Sequence, residues 1–282
     1  MDNKLLLSQP EIVSGNIKVE ENRVKIPITR LIVLAILAGM FIAGGAAASS
    51  VAMHNVSNVG LSRAIGGTIF PVGLILIVFL GGELFTGDCL LIFGLFEKKY
   101  SILSAVKVLV VVWLGNLVGS VIIAALVFFS GQFDFSNGLL GAFTIKVALG
   151  KTSTTFVKAF CSGIMCNIFV CCAVLLASAA KDAAGKILAI FFPIFAFVVS
   201  GYEHCVANMY YIPAGIMALT NKDYANMAME TYGYTSQQLD TLNIKTFLLN
   251  SSLPVTLGNM IGGMVFVGLI LYLSHRSKLH EK

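Results

Sequence analysis

The stretches GGELFTGD (residues 81–88) and SGYEHCVAN (residues 200–208) place glycines and polar side chains inside two long apolar runs. A polar or ionisable group in the middle of a lipid-crossing helix is costly, so it marks a functional site. Non-helical backbone at that depth is tolerated only where it is buried in protein or lines a water-filled cavity. The two stretches therefore predict two membrane helices broken near mid-membrane, in a protein that moves something small and polar across a membrane.

The composition agrees with a membrane location. Hydrophobic residues make up 57% of the chain, charged residues 12%, and the mean hydropathy is +0.88, which is outside the range of soluble domains. A spanning helix needs roughly 20 apolar residues, and we predict an all-α integral membrane protein with six such helices. The spans lie at about 30–53, 65–96 (broken), 105–130, 155–180, 186–219 (broken) and 247–273.

The distribution of Lys and Arg predicts the orientation. These residues are concentrated before the first span, after the second and fourth spans, and at the end of the chain. By the positive-inside rule, both termini are expected to face the cytoplasm. The expected location is the cytoplasmic membrane. The predicted organisation is a cytoplasmic arm (1–29) without a signal peptide, a channel domain (30–273) and a cytoplasmic tail (274–282). The net charge of +5 then reflects topology, and nucleic acid is not an expected partner.

An internal repeat divides the channel domain into halves at about 30–130 and 155–273. The sequence LGNLVG at 114–119 recurs as LGNMIG at 257–262. Because each half has three spans, the second half must be inserted upside down, and binding sites in such inverted repeats lie where the broken helices meet. The Gly-x-x-x-Gly spacing predicts close helix contacts. For Asn116 and Asn259, the sequence leaves packing and pore lining as equal alternatives.

Few groups at membrane depth could stabilise a desolvated anion. They are His204, Thr86, Asn167 and Asn259, together with backbone N–H groups at the inward-pointing ends of half-helices. Lys151 is predicted at the outer end of the fourth span, where it would attract anions. An anion needs such donors because desolvation in an apolar medium costs tens of kcal/mol by order of magnitude.

Glu83 and Glu203 also lie at depth, where rings of carboxylates would favour a cation pore. Each lies within a break whose exposed N–H groups need an acceptor. We therefore interpret both as structural residues that accept backbone hydrogen bonds. The cysteines all fall inside predicted spans without zinc-site spacing, so we interpret them as small hydrophobic residues. They are Cys89, Cys161, Cys166, Cys171, Cys172 and Cys205.

Several of these stretches closely resemble the signature motifs of the formate/nitrite transporter family. The matching segments are GGELFTG at 81–87, GIMCNIFVCCA at 163–173, GYEH at 201–204, ANM at 207–209 and PVTLGN at 254–259. The resemblance covers nearly the whole chain, and within the family the chain looks most like the hydrosulfide channels. The chain departs from the family pattern at Phe79 and Cys172, which replace aliphatic residues.

The resemblance implies an aquaporin-like protomer, assembled as a homopentamer with one pore in each subunit. It assigns the polar pore positions to Thr86, Lys151, Asn167, His204 and Asn259. It assigns the apolar constrictions to Phe70, Leu74, Leu84 and Phe197. No cofactor or metal is implied, and the chain is not expected to be an enzyme.

The function predicted from the sequence is a channel or transporter for small monovalent weak-acid anions such as hydrosulfide, formate and nitrite. Lys151 would draw the anion in, and His204 with Thr86 would hydrogen-bond it. His204 would also lend a proton, so that a neutral acid crosses the apolar gates. Three alternatives stay open. They are a facilitator for water or small neutral solutes, a membrane redox enzyme that uses the cysteines with His204, and a divalent-metal transporter that uses Glu83, Asp88, Glu203 and His204.

Overall fold

The computed structural model describes residues 6–279, a range that contains helices and no β-strand. The helices are α1 Gln9–Arg23, α2 Ile28–Met53, α3 Val59–Ile69, α4 Val72–Leu80, α5 Phe85–Asp88, α6 Ile92–Phe96, α7 Ile102–Phe129, α8 Leu139–Thr152, α9 Phe156–Ala179, α10 Ala183–Ser200, α11 Cys205–Leu219, α12 Lys222–Tyr232, α13 Ser236–Leu239, α14 Ile244–Thr246, α15 Leu253–Ile261 and α16 Ile270–Leu279. Residues 1–5 and 280–282, at the ends of the predicted arm and tail, lie outside the described range.

The six predicted spans are confirmed. Six helical segments are long and apolar enough to cross a membrane, and the shorter apolar helices 85–96 and 205–219 complete the second and fifth spans. The six segments are Ile28–Met53, Val59–Leu80, Ile102–Phe129, Phe156–Ala179, Ala183–Ser200 and Ile244–Leu279. The chain is therefore a multi-pass membrane protein.

The second and fifth spans are broken where the sequence predicts it. Helix α4 ends at Leu80 and α5 begins at Phe85, while α10 ends at Ser200 and α11 begins at Cys205. Gly81 (φ +90°) and Gly201 (φ +71°) start the two breaks in the left-handed region. That conformation is accessible to glycine at little cost, so the chain can leave the helix at both points.

The glycines of the repeated LGNxxG motif bring neighbouring spans into close contact. A Cβ atom at Gly119 in α7 would overlap the carbonyl oxygen of Ile36 in α2, and one at Gly262 would overlap that of Ile164 in α9. The two halves thus use the same contact between their first and third spans. This agrees with the close approach that small residues permit between membrane helices.

One further helix precedes the three spans of each half. Helix α1 precedes the first span, and α8 precedes the fourth span, so that α8 lies between the predicted halves at about 30–130 and 155–273. Helix α1 packs against α6, α9 and α16, and α8 packs against α11 and α12. The repeat therefore extends outward by one helix in each half, to Gln9–Arg23 and Leu139–Thr152.

Replacing Gly119 by alanine would push a methyl group against the α2 backbone. Overpacking costs typically about 1–3 kcal/mol, so we expect Gly119→Ala to lower the unfolding temperature of the detergent-solubilised protein by at least about 2–4 °C. Gly44→Ala is the matched control, because a Cβ at Gly44 meets nothing within 4 Å. Equal unfolding temperatures for the two variants would contradict the close contact.

Candidate functional site

The first break is held by the amide of Asn116, which is fully buried. Its Oδ1 accepts the backbone N–H of Phe85 at 3.0 Å. Its Nδ2 donates to the carbonyl oxygens of Ala35 at 2.7 Å and Glu83 at 2.9 Å. One side chain therefore satisfies backbone groups on both sides of the break and ties them to α2.

Asn259 does the same for the second break. Its Oδ1 accepts the N–H of Cys205 at 2.9 Å, and its Nδ2 donates to the carbonyls of Gly163 at 2.7 Å and Glu203 at 3.0 Å. The three partners correspond one by one to those of Asn116. For Asn116 and Asn259 these contacts show packing, and the pore-lining alternative stays a prediction.

The amide N–H groups of Asn167 also donate to backbone carbonyls. Its Nδ2 donates to the carbonyls of Thr86 at 3.1 Å and Asn259 at 2.7 Å. An amide has two N–H donors, and in both Asn167 and Asn259 these donors are used. The amide N–H groups of Asn167 and Asn259 therefore already have backbone partners, and the predicted pore role of these two residues stays a prediction.

His204 lies at the start of α11, where its ring connects the two breaks. Its Nδ1 accepts the backbone N–H of Ala207 at 3.0 Å, and its Nε2 lies 3.0 Å from the Thr86 hydroxyl. Because Nδ1 is an acceptor, the ring proton must be on Nε2. The Nε2–H group therefore points at Thr86, and this contact joins the two halves of the repeat at their centre.

A cavity of about 360 Å³ extends from His204 towards the side where Lys151 lies. Its inner end is closed by Phe70 and Phe197, whose rings meet edge to face at 5.7 Å between centroids. The Phe197 ring also stacks on His204 at 6.0 Å. Leu74 and Leu84, the other predicted constriction residues, are buried as well. The cavity, lined by both polar and apolar side chains, therefore holds an aromatic pair beside His204.

Lys151 lines this cavity, and its Nζ lies 2.9 Å from Oε2 of Glu203. The same Oε2 accepts Nδ2 of Asn208 at 2.7 Å. The Glu203 carboxylate thus pairs with a cation and an amide. Its predicted role as an acceptor of break N–H groups stays a prediction, while the N–H groups of Cys205 and Ala207 donate to Asn259 Oδ1 and His204 Nδ1.

Glu83 is paired in a matching way on the other side of the protein. Its Oε2 lies 2.6 Å from Nε of Arg23, and Oδ1 of Asp88 lies 3.4 Å from the same nitrogen. Glu20 also pairs with Arg23, and burial raises the pKa of the Glu20 carboxyl against the opposing effect of Arg23. Each break carboxylate is therefore neutralised by a cation near the end of the helix that precedes its half.

The titratable residues of the described part of the chain form no metal site. Within residues 6–279, no group of three or more His, Cys, Asp or Glu side chains is arranged to hold a metal ion. The described cysteines are free thiols. Arg23 and Asn208, which bind the two glutamates, were not predicted as site residues, and extending the repeat outward and inward from the glutamates could have found them.

Comparison with known proteins decides the family. The formate/nitrite transporter model matches residues 10–273. The chain belongs to this family. Its members are channels and transporters, so the prediction that the chain is not an enzyme is confirmed.

Named relatives cover most of the chain. A probable formate transporter of Methanothermobacter thermautotrophicus is 36% identical over 91% of this chain and 93% of its own length. The formate channel FocA of Haemophilus influenzae is 37% identical over 74% of this chain and 73% of its own length.

Two solved structures extend the comparison to three dimensions. A pentameric formate channel with formate bound is 34% identical, with a TM-score of 0.78 over 88% of this chain and 98% of that one. An ion channel of the same family is 27% identical, with a TM-score of 0.80 over 94% of this chain and 98% of that one. The fold predicted for this family member, with inverted repeats and broken second and fifth helices, is confirmed.

Replacing Asn259 by leucine would strand three buried backbone groups. Each unsatisfied group costs about 1–3 kcal/mol, so we expect Asn259→Leu to reduce the folded yield strongly, and Asn116→Leu to do so equally. Asn226→Leu, at an exposed position on α12, is the control for the loss of an amide. Size-exclusion profiles in detergent measure the yield, and a folded, heat-stable Asn259→Leu protein would contradict the packing role.

Proposed function

We propose that this chain is a channel for small monovalent weak-acid anions of the hydrosulfide, formate and nitrite class across the cytoplasmic membrane, with both termini cytoplasmic. The observation that carries the proposal is the contact of His204 Nε2–H with the Thr86 hydroxyl directly inside the aromatic closure. The names of the relatives, formate transporter and formate channel, support the substrate class.

The two donors would act on the anion in series. His204 Nε2–H donates to Thr86 Oγ1, and the Thr86 hydroxyl can donate its own proton onward. Hydrogen-bonded chains polarise one another, and bonds from donors to an anion are stronger than neutral ones. At Thr86, these hydrogen bonds would therefore replace part of the hydration shell that the anion loses at the Phe70 and Phe197 rings.

The tautomer of His204 restricts its role. A neutral ring that holds its proton on Nε2 could lend that proton only by becoming an imidazolate, and protonation of Nδ1 would break the bond to Ala207. We therefore assign His204 as a hydrogen-bond donor. The anion would instead take its proton from the surrounding aqueous solution. A weak acid neutralised in this way avoids most of the desolvation cost of the aromatic closure.

The decisive experiment measures formate, nitrite, hydrosulfide and chloride flux into proteoliposomes at two pH values. Weak-acid flux should exceed chloride flux and should rise as external pH falls, by up to about tenfold per pH unit, because the protonated fraction rises by that factor. Protein-free liposomes provide the background from acid that crosses lipid unaided. Flux of neutral solutes without anion flux would contradict the proposal and favour the facilitator alternative.

His204→Phe keeps a ring at the position and removes the Nε2–H donor. The Nε2–H group donates to the Thr86 hydroxyl, and a neutral hydrogen bond contributes about 0.5–1.5 kcal/mol, so the formate-to-chloride flux ratio should fall about two- to tenfold. His204→Asn is the control, because Asn keeps an acceptor for the start of α11 and a donor for the Thr86 hydroxyl. An unchanged ratio and pH dependence in His204→Phe would remove His204 from the mechanism.

We further propose that the channel assembles as a homopentamer, as the related pentameric formate channel does. Large apolar side chains cover much of the surface of a single protomer, among them Leu103 at 78% exposure and Phe129 at 82% exposure. Light scattering with detergent correction should give five copies of the 30.1 kDa chain. A conducting monomer or dimer would contradict this assembly.

A further inference from the structure

Two cations stand at the outer end of the cavity and are not used by the mechanism above. Arg63 in α3 and Lys146 in α8 line both the 360 Å³ cavity and an adjoining outer cavity of about 590 Å³. The second cavity is also bordered by His54 and Tyr232. Arg63 and Lys146 are thus the two cationic side chains among the residues shared by the two cavities.

Both cations are held by neutral partners. Nη1 of Arg63 donates to the carbonyl oxygen of Val199 at 3.3 Å, and its guanidinium lies so close to Gly201 that a Cβ there would overlap it. Nζ of Lys146 lies 4.4 Å from the centroid of the Tyr232 ring. A carbonyl and an aromatic ring fix a cation without cancelling its charge.

Lys151 differs from these two residues in this respect. Its ammonium is paired with the Glu203 carboxylate at 2.9 Å, so the pair contributes little net charge. No ion pair of Arg63 or Lys146 occurs among the described residues. The positive field at the entrance of the cavity therefore comes mainly from Arg63 and Lys146.

The shape of the guanidinium also selects the ligand. It carries five N–H donors in a planar fork, which matches two oxygens of a carboxylate in a bidentate pair. We propose that Arg63, assisted by Lys146, forms an outer binding site that captures planar two-oxygen anions such as formate or nitrite in preference to anions with a single acceptor atom, such as hydrosulfide or chloride. This inference rests on the proposed channel function and names its substrate class more narrowly.

The test compares formate with hydrosulfide in proteoliposomes over a range of concentrations. Arg63→Lys keeps the charge and removes the fork, so the half-saturating formate concentration should rise about tenfold while that of hydrosulfide stays unchanged. Arg63→Gln should raise both at low salt, with a smaller effect at high salt because screening weakens the field. Lys222→Gln, which removes a charge from a residue lining neither cavity, should change neither.

A second measurement does not depend on transport. Phenylglyoxal modifies accessible arginines, and mass spectrometry can follow its rate at Arg63 in the detergent-solubilised protein. Formate should slow this reaction more than chloride at equal ionic strength. A wild type that conducts anions, with equal half-saturation in Arg63→Lys and no formate protection, would overturn this site. A wild type that conducts none, with formate-protected Arg63, would overturn the channel function and support the site.

Discussion

The structure depends on one constraint, that backbone groups released by a broken helix must find partners inside a membrane protein. In lipid no water is available to satisfy them. Asn116 and Asn259 meet this need with three bonds each, to the break and to the adjacent span. With the breaks fixed in this way, the start of α11 can hold His204 against Thr86 at the centre.

The breaks also place charged side chains inside the membrane protein. Each break exposes a glutamate at depth, and an unpaired carboxylate there would be very costly. Arg23 and Lys151 neutralise them from α1 and α8. These helices are thus part of the repeat and not appendages. Because Lys151 is paired with Glu203, we infer that the positive electrostatic field at the cavity entrance comes mainly from Arg63 and Lys146. Both of these residues have neutral partners.

Much of this architecture could be predicted from the sequence, because long apolar runs and mid-run polar stretches are local signals. The repeat LGNxxG located both amides, and the polar break located His204. Their contacts could not be predicted, because Thr86 and His204 are 118 residues apart and only the fold joins them. The backbone partners of the Asn167 amide could not be predicted either, because composition does not reveal whether an amide's donors are occupied. Arg63 was indistinguishable from a residue that merely sets topology.

The order of the paired charges along the chain has a consequence for biogenesis. Arg23 precedes Glu83 by 60 residues, and Lys151 precedes Glu203 by 52. Since a chain is synthesised from its N-terminus, each cation is made before the broken helix that needs it. The counter-ion is then already present when the glutamate reaches the bilayer, so neither half has to insert an uncompensated carboxylate and wait for later segments.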